Sequence, residues 1–181
     1  MIILMGAAGS GKSMQGKILA DEYGYAWIST GEVLRVLITG RRRHEMIEGR
    51  LLEDNEVINV VDKVLELIDT ETQFIVDGFP RTRFQVDWMM MQAQMGRLPI
   101  PVVFNLEVDE QIIRERLYKR NRPDDTEEAI SRRFAEYERA TRPILDHMKE
   151  LGIQVVTINA DQTPADVHRD IVAKLEELKQ L

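Results

Sequence analysis

Eight residues near the start of the chain, Gly6-Ala7-Ala8-Gly9-Ser10-Gly11-Lys12-Ser13, follow the spacing G-x-x-x-x-G-K-[ST]. The glycines let a loop curl until successive backbone N–H groups face inward. Those donors, together with the N-terminus of a following helix, hold the phosphates of a nucleotide. Lys12 adds a point charge near the outer phosphates, and Ser13 offers a hydroxyl to Mg²⁺. The surroundings suit this chemistry. An apolar run, Ile2 to Met5, reads as a strand before the loop, and Gln15, Ile18, Leu19 and Tyr23 mark a helix after it, ended near Gly24. Such a loop binds phosphate but does not choose a reaction.

Other charged residues narrow the chemistry. Arg35 and Arg81 stand beside small or turn-forming residues, Ser29-Thr30-Gly31 and Gly78 with Pro80. An arginine fork matches phosphate oxygens two at a time, which suits a monophosphate carrying two charges. Arg116 and Arg120 are four apart on one helix face, a like-charge spacing that costs a few tenths of a kcal/mol. Arg122 follows, and Arg133 lies on the next helix, so an anion among the four relieves the repulsion. Asp77 closes a short apolar strand, where a carboxylate can act on Mg²⁺ or its waters.

These groups need a scaffold. Strands are expected at 2–5, Trp27-Ile28, 74–76, 102–106 and 155–158. Helical periodicity occupies 55–68, a stretch from the Asp109 cap to about Arg120, and a long helix from Thr126 through Ile130, Phe134, Tyr137, Ile144 and Met148, kinked at Pro143. Gln85 sits at the start of another helix, with Trp88 and Met89 to Met91 packing further along it. The last helix opens at Thr163-Pro164. Uniformly apolar strands alternating with helices predict an α/β domain, a P-loop NTPase-type five-stranded parallel sheet with helices on both faces. The polar stretch 39–56 reads as an excursion from that core.

Composition excludes several classes. With 181 residues, 44% hydrophobic and 30% charged, the chain is one ordinary soluble domain. A net charge of −7 opposes nucleic-acid backbone binding. No apolar run is long enough for a membrane span, and MIILMG is too short for a signal peptide. The absence of cysteine excludes disulfides and cysteine-ligated zinc. A cytoplasmic protein, most simply a monomer, is expected. Arg41-Arg42-Arg43-His44 reads as a solvated basic face, and His147 and His168 as surface residues without a role.

Five blocks in order, GAAGSGKSMQ (6–15), ISTGEVLR (28–35), EGRLLEDNEV (48–57), VDGFPRTRFQ (76–85) and RLYKRNRPDD with RRF (116–125, 132–134), resemble the adenylate kinases among nucleoside-monophosphate kinases. The resemblance spans nearly the whole chain. It implies transfer of the γ-phosphate of Mg·ATP to AMP, giving two ADP. It places Gly9, Ser10, Gly11, Lys12, Ser13, Met14, Arg116, Arg120 and Gln162 on ATP. It places Thr30, Arg35, Arg50, Leu51, Leu52, Gly78, Phe79, Pro80, Arg81 and Gln85 on AMP, and Arg122 and Arg133 on the transferring phosphate. Lys12, Arg81, Arg120, Arg122 and Arg133 are then catalytic, with Ser13 and Asp77 near Mg²⁺, directly or through water. It also implies a core (1–29, 58–118, 134–181) with two mobile parts, an acceptor-binding excursion (30–57) and a lid (about 119–133).

Three features depart from the family pattern. Ser13-Met14 replaces the usual glycine-threonine, so a hydroxyl near the α-phosphate is missing. The lid is of the short type, with no room for a zinc-binding insert. The stretch between Arg35 and Gly49 is shortened. The nearest rival activity is UMP/CMP kinase, against which Thr30, Thr82 and Gln85 favour AMP. A non-catalytic nucleotide-binding module is the rival of another class, and the acceptor arginines oppose it.

Overall fold

The computed structural model describes residues 1–122 and 124–179; Pro123, in the expected lid, and the last two residues lie outside them. Five parallel strands, β1 (Ile2–Met5), β2 (Ala26–Ser29), β3 (Phe74–Asp77), β4 (Val102–Glu107) and β5 (Gln154–Asn159), form one sheet in the order β2-β3-β1-β4-β5. Each expected strand is present. The register sets Ile2 opposite both Ile75 and Val102, so β1 is central and hydrogen-bonded on both sides.

The alternation of side chains along β1 divides the core. Ile3 and Met5 face a cluster with Ile28, Val76, Val86, Met89 and Met148. Ile2 and Leu4 face another with Leu19, Ile75, Phe104, Ile171 and Leu175. Burial on both faces explains why these strands are apolar throughout rather than alternating. Helices α1 (Lys12–Tyr23) and α9 (Pro164–Glu177) cover one face, and α4 (Asp54–Leu65), α5 (Arg83–Gln94) and α8 (Ile144–Glu150) the other. A smaller cluster of Ala7, Ile113, Leu117 and Ile130 packs α6 (Glu110–Arg120) and α7 (Glu127–Glu136) beneath the phosphate-binding loop.

Helix ends follow local chemistry. Asp109 accepts from the Gln111 N–H at 2.8 Å, and Thr126 and Thr163 accept from the N–H groups of Ala129 and Asp166, each at 3.2 Å. Gly24, at φ 71°, ends α1 in the left-handed region.

Two expectations need correction, and one stretch shows local structure that the sequence left open. The long helix from Thr126 is two helices, α7 and α8, separated by a π-turn at Tyr137–Thr141 and by Pro143. The Arg142 N–H reaches back five residues to the Tyr137 carbonyl at 2.8 Å. Pro143 has no N–H to continue the ladder, and the wider turn brings Thr141 inward, where it is buried. The polar stretch 39–56 is mostly helical. After α2 (Thr30–Leu37) comes α3 (Gly40–Ile47), which buries no residue, and α4 opens at Asp54. Arg42 joins Glu45 and Glu56, each at 3.0 Å, so ion pairs hold what hydrophobic burial does not. His147 and His168 are not loose surface residues. Their side chains are 12% and 16% exposed, and their Nε2 atoms lie 2.7 Å from Asp87 and Glu22, tying α8 to α5 and α9 to α1.

Candidate active site

The phosphate-binding loop runs from the C-terminal end of β1 to α1, beside the point where the connection from β1 runs to β2 on one side of the sheet and that from the adjacent β3 runs to β4 on the other. Ligands of open parallel sheets bind at this position. Gly6, Gly9 and Gly11 have φ of 135°, 90° and 102°, a region side chains disfavour. At Gly9 a Cβ would lie 2.9 Å from both Ile113 and Leu117, so glycine is also required for packing on α6. At Gly11 nothing lies within 4 Å of such a Cβ, because this part of the loop opens onto a cavity.

Lys12 curls back over the loop and donates to the carbonyls of Gly6 and Ala7 at 2.8 and 2.7 Å. Burial lowers its pKa to about 8, a fall opposed by Asp77 and reinforced by Arg81 and Arg120. Ser13 Oγ donates to Asp77 Oδ2 at 2.5 Å. Asp77 is buried at the end of β3. A hydroxyl and a carboxylate side by side, beside a phosphate cradle, are hard oxygen donors of the kind Mg²⁺ takes. Among the described residues no group of three or more His, Cys, Asp or Glu side chains could hold an ion. The donors therefore suit a cation held largely by phosphate and water.

The cavity measures about 890 Å³. Every residue that the sequence marked for ATP, AMP or metal lines it, from Gly9 in the loop to Arg133 in α7 and Gln162 before α9. The sequence separates these residues by up to 153 positions, and the sheet order brings them to one end. Arg116 donates to the carbonyl of Ala160 at 2.8 Å, fixing α6 against the segment that carries Gln162. Arg81 donates through Nε to the Gly78 carbonyl at 2.7 Å, while its own carbonyl accepts from Thr141 Oγ1 at 3.0 Å. The π-turn thus buttresses the GFPR segment. Met14 is 52% exposed on the first turn of α1 and also lines the cavity.

The remaining arginines converge on Asp124 and Asp125, both buried. Asp125 accepts from Arg120 Nε and Nη2 at 2.9 and 2.6 Å, from the Arg122 N–H at 3.1 Å and from Arg133 Nη1 at 3.3 Å. Asp124 accepts from Arg133 Nη2 at 2.5 Å and from Arg35 at 3.4 Å. Burial works against ionisation of both carboxyls. For Asp124, Arg133 and Arg35 outweigh it; for Asp125, Arg120 and the Arg122 N–H do, and both groups stay below the usual carboxylate range. In the sequence this acid pair appears only as the end of the block RLYKRNRPDD. Its part as the hub of four arginines depends on a fold that sequence spacing does not reveal.

The segment that carries Glu32, Arg35 and Glu48 meets the one that carries Arg122, Asp124 and Arg132 at the cavity. Arg35 reaches Asp124, Arg122 lies 3.9 Å from Glu32, and Arg132 donates to the Glu48 carbonyl at 3.1 Å. Gly49 packs so tightly on α7 that a Cβ would lie 2.6 Å from the Ala129 carbonyl. The sequence reading left out one residue here, Asp54. Asp54 accepts from Thr82 Oγ1 at 2.7 Å and from Gln85 Nε2 at 2.8 Å. As an acid in the first turn of a helix, Asp54 looks in sequence like any favourable charge at a helix N-terminus.

The chain is similar to known proteins over most of its length. The adenylate kinase family model matches residues 4–153. Adenylate kinase from Prochlorococcus marinus is 33% identical over 178 residues, covering 94% of this chain and 95% of the relative. Adenylate kinase from Rhodopirellula baltica is 36% identical over 177 residues, covering 94% and 92%. Adenylate kinase 1 from a Nostoc species is 33% identical over 180 residues, covering 96% and 97%. The chain belongs to the adenylate kinase family.

Proposed function

We propose that this adenylate kinase family enzyme transfers the γ-phosphate of ATP to AMP within this cavity, using arginines rather than a general base. One observation carries the reading. A phosphate-binding loop forms one wall, the Thr30, Arg50–Leu52 and Gln85 segments form another, and Arg35, Arg81, Arg120, Arg122 and Arg133 line the same space. A passive ATP binder has no use for so many cations beyond the loop.

Mechanistically, Gly9 to Met14, Arg116 and Gln162 hold ATP, and Arg35 and Arg81 hold the acceptor phosphate. An AMP phosphate oxygen is already ionised near neutral pH and attacks directly. Charge on the transferring group is met by Lys12, Arg81, Arg120, Arg122 and Arg133 once the cavity has closed over both nucleotides. Ser13 and Asp77 would hold Mg²⁺, directly or through its waters, and the ion would neutralise phosphate charge when bound. The contacts between Glu32, Arg35 and Glu48 on one side and the lid on the other support closure over the cavity. Residues 30–57 and 119–133 open for exchange and close to exclude water from the transfer. The enzyme acts as a cytoplasmic monomer.

The test is ADP formation from Mg·ATP with AMP, UMP, CMP, GMP or dTMP supplied one at a time. Turnover with AMP well above the others is expected. Lys12→Met and Arg81→Ala each lower it at least about tenfold, equivalent to about 1.4 kcal/mol of barrier. Preference for a pyrimidine keeps the mechanism and replaces the acceptor. No turnover with any acceptor, in folded protein that binds ATP, overturns the catalytic reading in favour of a nucleotide-binding module.

A further inference from the structure

Gln85 is the side chain proposed to meet the acceptor base, yet the protein already holds both ends of its amide. Oε1 accepts from the backbone N–H of Arg81 at 2.8 Å, and Nε2 donates to Asp54 Oδ1 at 2.8 Å. The same Asp54 oxygen accepts from Thr82 Oγ1 at 2.7 Å, and the Thr82 hydroxyl in turn caps α5 at the Gln85 N–H. A backbone N–H only donates and a carboxylate only accepts, so these two partners decide which end of the amide is oxygen and which is nitrogen. Gln85 is 2% exposed and lines the cavity. A primary amide has two N–H groups and two lone pairs. One of each remains for a ligand.

We infer that Asp54 is a positioning residue which, with the Arg81 N–H, locks the Gln85 amide in one orientation and so makes the site reject 6-oxopurines. The inference rests on the reading that Gln85 meets the acceptor base. Adenine presents an N1 acceptor beside a 6-amino donor. Hypoxanthine and guanine present an N1–H donor beside an O6 acceptor, the reverse pattern. A free glutamine amide rotates by half a turn and serves either base. In this site the rotation sets Oε1 against the Asp54 carboxylate and the Nε2 hydrogens against the Arg81 N–H. Both ends of the buried Gln85 amide then lose their partners, and mispaired buried polar groups are what makes a site strongly selective. Asp54 opens α4 and Thr82 caps α5, so the lock exists only once α4 and α5 have packed.

The probe is IMP, which carries the 6-oxo pattern without the 2-amino group of GMP. In the full-length protein, kcat/KM is measured for AMP and for IMP in the wild type, Asp54→Asn and Gln85→Ala. Asparagine has the shape of aspartate but adds an N–H₂, which gives a rotated Gln85 a partner. The AMP-to-IMP ratio is expected to fall at least about fivefold in Asp54→Asn and in Gln85→Ala. The ratio counts only folded molecules, so a loss of stability alone leaves it unchanged. If asparagine prevents folding, Asp54→Ser keeps a helix-starting hydroxyl, removes the carboxylate and carries the same expectation. A ratio within about twofold of wild type at position 54, with a fall in Gln85→Ala, overturns the lock and leaves the base contact standing. An unchanged ratio in Gln85→Ala overturns the base contact and the lock with it.

Discussion

Replacing Asp125 by asparagine isolates the carboxylate that holds the arginine cluster together. Its side chain has no exposure, and its partners Arg120 and Arg133 are 32% and 14% exposed. Asparagine keeps the shape and one acceptor oxygen but removes the charge shared by Arg120, Arg133 and the Arg122 N–H. Breaking a buried ion pair from one side costs about 3–5 kcal/mol. Arg120 is close to one-third exposed, and solvent screening weakens its share. A loss of about 2–4 kcal/mol follows. In a domain of this size that lowers Tm by about 4–16 °C, at about 2–4 °C per kcal/mol. Thermal unfolding monitored by circular dichroism measures the shift. Turnover falls at least about tenfold, because the guanidinium groups lose their preset positions. An unchanged Tm together with unchanged kcat would show that the carboxylate does not organise the arginines.

Lys12 has its pKa lowered to about 8, so the free enzyme loses this charge as pH rises through that value. Bound phosphate favours the charged form, so ATP binding takes up a proton above pH 8 and the apparent Kd rises by up to about tenfold per pH unit. Calorimetry in buffers of different ionisation heat detects the uptake, and its persistence in Lys12→Met refutes the assignment. Asp124 and Asp125 have depressed pKa values, so the stability they contribute is present above the ordinary carboxyl range and is lost as pH falls through their folded values. Acid unfolding followed by fluorescence should therefore be less steep in Asp125→Asn than in the wild type. Met14→Thr restores a hydroxyl to an exposed site, so stability stays within about 0.5 kcal/mol. Its kcat/KM for ATP is expected to equal or exceed that of the wild type, and a large loss would show that this loop contacts ATP by a different scheme. Gly9→Ala forces a methyl to within 2.9 Å of Ile113 and Leu117 at φ 90°. Strain and overpacking together cost about 2–4 kcal/mol, read as a fall in the urea midpoint, and an unchanged midpoint refutes the packing argument.

The sequence alone determined the phosphate-binding loop, because its function rests on backbone N–H groups that consecutive residues supply. It also determined the strands and most helix starts, since apolar runs and caps such as Asp109, Thr126 and Thr163 act within a few residues of themselves. The family blocks identified the arginines and Gln85. Local signals did not extend to relations between distant residues. Nothing in the periodicity from Thr126 onward foretold the π-turn, whose purpose emerges only when Thr141 meets the Arg81 carbonyl 60 positions away. Charge at His147 and His168 gave no hint of their partners on other helices. Asp124 and Asp125 became a hub, and Asp54 a partner of Gln85, only because the parallel sheet carries the ends of several helices to one rim. A hydrogen bond requires its two atoms within about 3 Å, and across 31 residues of intervening chain, as between Asp54 and Gln85, only the packed core supplies that distance.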